Sequence, residues 1–120
     1  MTVVKNMTTK TVTIINQFED GSTDPIAVYP PSGESITIST YEHPEPIRAG
    51  QIHDGQWLAV TDIEYQGLSM DLPRRGFGLY YIVPLNVALA ERRRDFLVPL
   101  AAVYDNDGKK IGVEGLGRIM

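Results

Sequence analysis

The stretch "YIVPLNVALAERRRD", Tyr81 to Asp95, decides how the rest of the chain is read. Tyr81 to Val83 is a strand-like apolar run. Pro84 follows, and a proline in the first helical turn loses nothing, because its missing N–H would have no partner there anyway. Apolar residues then recur at spacings of three and four, which puts Leu85, Ala88 and Leu89 on one face of a helix and Asn86 and Arg93 on another. The spacing predicts a helix from about Pro84 to Arg94. It is the one convincing helical pattern in the sequence, so the fold class rests on what flanks it.

Both flanks alternate with the period of a strand. "TKTVTII" (Thr9 to Ile15) alternates β-branched and polar residues, "PIAVY" follows the turn-rich "EDGSTD", and "ESITIST" (Glu34 to Thr40) alternates again after "PPSG". Their expected inward residues are Val12, Ile14, Ile26, Val28, Ile36 and Ile38, with serines and threonines facing water. "YEHPEPIRAG" reads as a connection, because the residue before each proline is driven out of the α region. "QWLAVTDIEYQGL" reads as a long strand or a bent pair, with Trp57 in the core. In "LVPLAAVYDNDGKKIGVEGLGRI" two β-rich runs flank a turn whose Asp, Asn and Gly tolerate left-handed conformations, so a hairpin is expected. The glycines of "IGVEGLG" have no strand-then-helix context and read as bulges or points of close backbone approach. The whole predicts a mainly β protein: a small antiparallel β-sandwich or barrel of seven to nine strands with one principal α-helix.

Length bounds that architecture. With 120 residues, 42% of them hydrophobic, the chain suits one core and one domain, residues 1–120. There is no cysteine, which excludes disulfides, thiolate catalysis and sulfur-ligated metals. The N-terminus "MTVVKNMTTK" lacks the apolar core of a signal peptide, and no run of about 18 apolar residues is present to span a bilayer. A soluble, cytoplasmic protein with no membrane partner is the expectation.

Net charge is −4, but it is unevenly spread. Residues 1–71 hold 3 basic and 10 acidic side chains, a balance of −7, whereas residues 72–120 hold 8 basic and 5 acidic, a balance of +3. An acidic surface argues against non-specific nucleic-acid binding, which needs a broad basic field. A local site for a small anion survives that argument. Between Pro73 and Arg94 the sequence gathers Arg74, Arg75, Arg92, Arg93 and Arg94 with Phe77, Tyr80 and Tyr81. Guanidinium forks bind phosphate bidentately and aromatic faces stack on bases, so the mixture suits a nucleotide. Arginine and tyrosine are also enriched in protein interfaces. A third account has the cations of Arg92 to Arg94 complementing the negative end of the helix dipole.

Signals for enzymatic chemistry are sparse. His43 and His53 sit in loop-like "EHPEP" and "IHDG" with no metal-ligand partner at helical spacing. Asp62 and Glu64, two apart, could pair on one face of a strand or form its solvated side. No metal or cofactor is called for. Edge strands need protection, and a helix with Leu85 and Leu89 against Val87 offers apolar residues on more than one side, so a homo-oligomer is expected.

The segments "KNMTTKTVTI", "YPPSGESITIST" and "GLYYIVPLNVALAERRRDFLVPLAAVYDNDGKKIGVEGLGRI" together resemble a family of small phage and prophage proteins. Its members open on Asn-Leu-Thr-Pro-His, carry a Pro-Pro-Ser-Gly connection, and close with a Tyr-Ile-Val strand, a helix, Arg-Asp and a short hairpin before a final Leu-x-Arg. The resemblance covers most of the chain. It departs at "NMTTK", which lacks the proline and histidine, and at Tyr104, where an arginine would be expected before "DNDG".

In size, phage setting and β-rich fold the family is similar to the first described type of Thoeris anti-defence proteins. These sequester cyclic ADP-ribose signals and, in some members, cyclic oligonucleotides. That similarity implies a sponge, capturing a small anionic nucleotide without cleaving it, with an aromatic and an asparagine holding the base and arginines gripping phosphates. Arg74, Arg75, Phe77, Tyr81, Asn86, Arg93, Arg94 and Arg118 are the ligand-binding candidates, and no catalytic residue is implied. Two alternatives stay open: a phage virion or host-takeover interaction module with no small-molecule ligand, and a phosphodiesterase using His43 or His53 as acid-base.

Overall fold

The computed structural model describes residues 2–53 and 55–120. In chain order the elements are β1 (Val3–Asn6), β2 (Val12–Gln17), β3 (Thr23–Tyr29), β4 (Ile38–Glu42), β5 (Ile47–His53), β6 (Gln56–Val60), β7 (Ile63–Leu68), β8 (Leu79–Ile82), α1 (Leu85–Ala90), β9 (Phe96–Tyr104) and β10 (Lys110–Gly117). The protein is mainly β with one short helix, as the patterning predicts, although the described residues form ten strands. Six of them form one sheet in the order β1-β8-β9-β10-β2-β3.

Not all the pairing is antiparallel. The β9/β10 hairpin and the β2/β3 pair are, but β1/β8, β8/β9 and β10/β2 are parallel. The sheet nearly closes into a barrel. A parallel bridge between Asn6 and Pro31 and a hydrogen bond from the Ser32 N–H to the Asn6 carbonyl (2.9 Å) join its first strand to the segment after its last.

One polar side chain holds that seam. Asn6 is 2% exposed. Its Nδ2 donates to the carbonyls of Lys10 and Tyr29, both at 2.8 Å, while its Oδ1 accepts from the Thr8 N–H (3.0 Å) and hydroxyl (2.7 Å). A buried amide is tolerated only when its donors and acceptor are used, and here both ends are.

The core has two compartments separated by β8. Ile82 packs with Val12, Ile14 and Val113 among the strands, while Tyr81 and Val83 point the other way, toward Met7, Ile36, Val87, Ala88, Phe96 and Val98. A strand buried on both faces reads as a continuous apolar run, which explains "LYYIV". The β9/β10 turn closes as expected: Asp105 Oδ1 accepts from the Asp107 and Lys109 N–H groups, both at 2.9 Å, and Gly108 takes φ 80°. Close approach also accounts for Gly112. A Cβ there would lie 2.6 Å from both the Thr13 carbonyl oxygen and Ile15 Cδ1.

Several expectations are corrected. The helix spans only Leu85–Ala90, so Arg92 to Arg94 lie beyond its end and the dipole account of them lapses. Its buried side is Val87 and Ala88; Leu85 and Leu89 are exposed. Ile26 and Val28 face outward, because β3 sets Tyr29 opposite Val12 and Ala27 opposite Ile14, and directly opposite residues share a face, so Ala27 and Tyr29 turn inward instead. A one-residue slip exchanges the faces of a strand. "ESITIST" becomes a strand only from Ile38.

The largest departure is the middle of the chain. Among the described residues β4 pairs only with β7, and β5 only with β6, so they run out and back between 38 and 68 as a two-stranded ribbon with no third strand. Ile38 and Leu68 anchor its base against the core. Beyond them it is open to solvent, and Trp57, expected in the core, is 49% exposed. The radius of gyration is 19.2 Å, with principal extents of 57 × 40 × 26 Å. A compact chain of this length would have a radius near 14 Å, so the ribbon is an arm.

Candidate functional site

A cleft of about 410 Å³ opens where the N-terminal ends of β8 and β9 meet the C-terminal end of β10. Parallel pairing of β8 with β9 and the antiparallel return of β10 bring three distant segments together there. The Gly76–Gly78 turn supplies Phe77, β8 supplies Tyr80, the segment after α1 supplies Arg94 and Asp95, and the chain after β10 supplies Arg118, with Thr2 alongside. Phe77 is fully exposed on its turn, and Arg94 and Arg118 are exposed at the rim.

Of the eight residues expected to bind a ligand, three therefore line this cleft: Phe77, Arg94 and Arg118. Arg74 and Arg75 are exposed on the turn leading into it, and Arg75 is near enough to contribute electrostatically at Asp95. Asn86 is exposed on α1 and is not among the lining residues. Tyr81 and Arg93 are buried and serve the scaffold.

Arg93 is 7% exposed and forms a bidentate pair with Asp95, Nε to Oδ1 at 2.9 Å and Nη2 to Oδ2. Its Nη1 donates to the Pro73 carbonyl (2.8 Å), and its guanidinium lies 4.5 Å from the Phe96 ring centroid. The Tyr81 hydroxyl donates to the Arg74 carbonyl at 2.7 Å. Two buried side chains thus grip the consecutive carbonyls of residues 73 and 74, and so aim the turn that carries Arg74, Arg75 and Phe77. Bidentate pairing satisfies a buried guanidinium better than any other partner geometry.

The pair also sets the charge of the cleft. Burial resists ionisation of Asp95, but the hydrogen bonds and charge of Arg93, with Arg75 adding, hold its carboxyl below the ordinary carboxylate range. The hydrogen bond to Asp95 in turn raises the Arg93 guanidinium above its already high value. Asp95 is thereby neutralised internally, leaving Arg94 and Arg118 as the cleft's outward charges.

The arm presents a different chemistry. Ile47, Ile52, Trp57, Leu58, Ile63 and Tyr65 are each about half exposed. Trp57 and Leu58 are neighbours in one strand, so both faces of the ribbon are apolar. Two cross-strand contacts brace it: Arg48 lies 5.7 Å from the Trp57 ring centroid, and His43 Nε2 is 3.0 Å from Glu64 Oε1; along one edge, Tyr41 meets the His43 ring edge-on. Glu64 is thus paired with His43 rather than with Asp62. The side chain of His53 lies outside the described residues. Among those described, no cluster of three potential metal ligands occurs, and no helix is long and apolar enough to cross a membrane.

The arm was not legible as a site in the sequence, although one signal was there. Its apolar residues follow no single alternating face, as Trp57-Leu58 shows, which is unexpected for a strand with one side in water. Comparison with protein-family models, with curated proteins and with solved structures gives no match to this chain.

Proposed function

We propose that this chain is a protein-interaction module and that residues 38–68 are its working element. The observation that supports this reading is the ribbon's exposure of large apolar side chains on both faces. A lone two-stranded ribbon is marginally stable in water, and large apolar side chains gathered in the open on one element mark a contact site. Aromatic anchors such as Trp57 and Tyr65 are the residue types that dominate interface energies.

The test is a photo-crosslinking residue in place of Trp57, activated in the cells that naturally carry the protein. An adduct that forms at position 57 and not at an exposed barrel position such as Lys109 is the expected result. Equal yields, or none, would remove the reading.

A second reading is favoured by the cleft: a sponge that sequesters a small phosphate-bearing nucleotide without cleaving it. Arg94 and Arg118 would meet phosphates while Phe77 or Tyr80 stacks on a base. Calorimetry with cyclic ADP-ribose isomers and cyclic oligonucleotides tests it, with Arg94→Ala expected to weaken binding about ten- to a hundredfold, the range for a lost charge-assisted hydrogen bond. No heat with any of these probes would discard the sponge.

A further inference from the structure

We infer that the arm of one chain docks head to tail on the body of a second copy, with its acidic, apolar ribbon set against the basic cleft of Phe77, Arg94 and Arg118. This rests on the interaction reading and names its partner. Area is the first argument. The chain exposes 8662 Å², whereas a compact monomer of its mass, 13.3 kDa, would expose about 6,500 Å². The excess of about 2,200 Å² lies at or above the total that a standard stable interface buries. Each copy therefore carries enough surplus surface to hold a neighbour.

Charge selects the arrangement. Residues 38–68 hold one arginine against five carboxylates, a balance of −4, which equals the charge of the whole chain. Pairing arm on arm about a two-fold axis would bring two such ribbons into one layer, and like charges facing each other across an interface are disfavoured. Residues 72–120 carry +3, and Arg94 and Arg118 project from them at the cleft. The arm meets its complement there.

Apolar chemistry agrees with the charge. Phe77 stands fully exposed on a turn clamped from beneath by Arg93 and Tyr81, a rigid anchor awaiting an apolar surface. The cleft is lined by no described residue of 38–68, so the described part of a chain's own arm does not fill it. A patch that binds a different patch is heterologous, and repeated copies close into a ring or extend as a filament.

Sedimentation of purified full-length protein with two double variants tests the arrangement. One is Trp57→Ser with Leu58→Glu on the arm, and the other is Arg94→Glu with Arg118→Glu on the body. All four side chains are solvent-exposed, and circular dichroism checks that the barrel persists. Wild type is expected to associate, less so as salt rises, and each variant alone to lose at least about 30-fold in affinity, the size of a hot-spot effect.

Mixing the variants should restore one interface, between the intact arm of the body variant and the intact body of the arm variant, and yield a dimer that cannot grow. No dimer in the mixture overturns head-to-tail docking, as does association that survives the body variant but not the arm variant, the mark of arm-on-arm pairing. A wild-type monomer at about 100 µM also overturns it, because stable interfaces of standard size bind at about micromolar strength or tighter. The interaction reading fails separately, if the crosslink at position 57 captures nothing or captures no more than an exposed barrel position does.

Discussion

The barrel and the arm are built from the same kind of sequence and solve opposite problems. In the barrel, β8 is covered on both faces, and Tyr81 and Ile82 are shut away from water. In the arm, Trp57 and Leu58 are just as apolar and face water on both sides. The difference is the number of neighbours: β8 has a strand on each side, whereas every strand of the ribbon has one partner. Local composition makes a strand, and only a third layer makes a core. A ribbon left at two strands keeps its apolar surface available for another chain.

Substitutions should separate the two regions sharply. Arg93→Ala is expected to give the largest loss of stability, about 3–5 kcal/mol, because it leaves Asp95 with an uncompensated, largely buried charge and frees the Pro73 carbonyl. Denaturant melts measure it. A loss below about 1 kcal/mol would place the pair with ordinary surface bridges.

Gly112→Ala should follow, at about 1–3 kcal/mol, since its Cβ would overlap the Thr13 carbonyl oxygen at 2.6 Å and backbone cannot step aside as a side chain can. An unchanged midpoint would mean that β10 and β2 separate without cost.

Acid sharpens the contrast further. Because the folded pKa of Asp95 is depressed, the pair's contribution is fully present above the ordinary carboxylate value of about 3.9 and is lost as pH falls through the lower folded value. Wild type should therefore lose stability over that acid range, and Asp95→Asn should lose less of its own. Parallel acid profiles for the two proteins would contradict the assignment.

The smallest stability effect is expected in the arm. Trp57→Ser should move the melting of isolated chains by no more than about 0.5 kcal/mol, as for surface positions, measured at dilution where copies are apart. A large shift there would mean that Trp57 already packs within its own chain.

Much of the barrel was legible. The "DNDG" hairpin follows from turn chemistry, the strand-to-helix passage at Pro84 from proline's fixed geometry, and the buried Val12, Ile14 and Ile36 from alternation. Part of the cleft's lining was legible too: Phe77 and Arg94 stand in the arginine-aromatic cluster, whereas Arg118 enters only through the resemblance. The role of Arg93 is hidden in the sequence, because adjacency to Arg94 conceals that one is buried and the other exposed. The role of Asn6 is hidden as well, because an Asn-x-Thr turn looks like surface until a barrel seam closes on it.

The sequence by itself determined that the chain is mainly β, where its one helix begins, and where its last hairpin turns. Those depend on dihedral preferences and on residues a few positions apart. Tertiary structure decided that β3 shows Ile26 and Val28 to solvent, that Arg93 rather than Arg94 is consumed internally, and that residues 38–68 stand clear of the barrel. Each of these depends on which distant strand comes to lie alongside, and a period-two pattern is the same on a strand whether its face meets a core, water or another molecule.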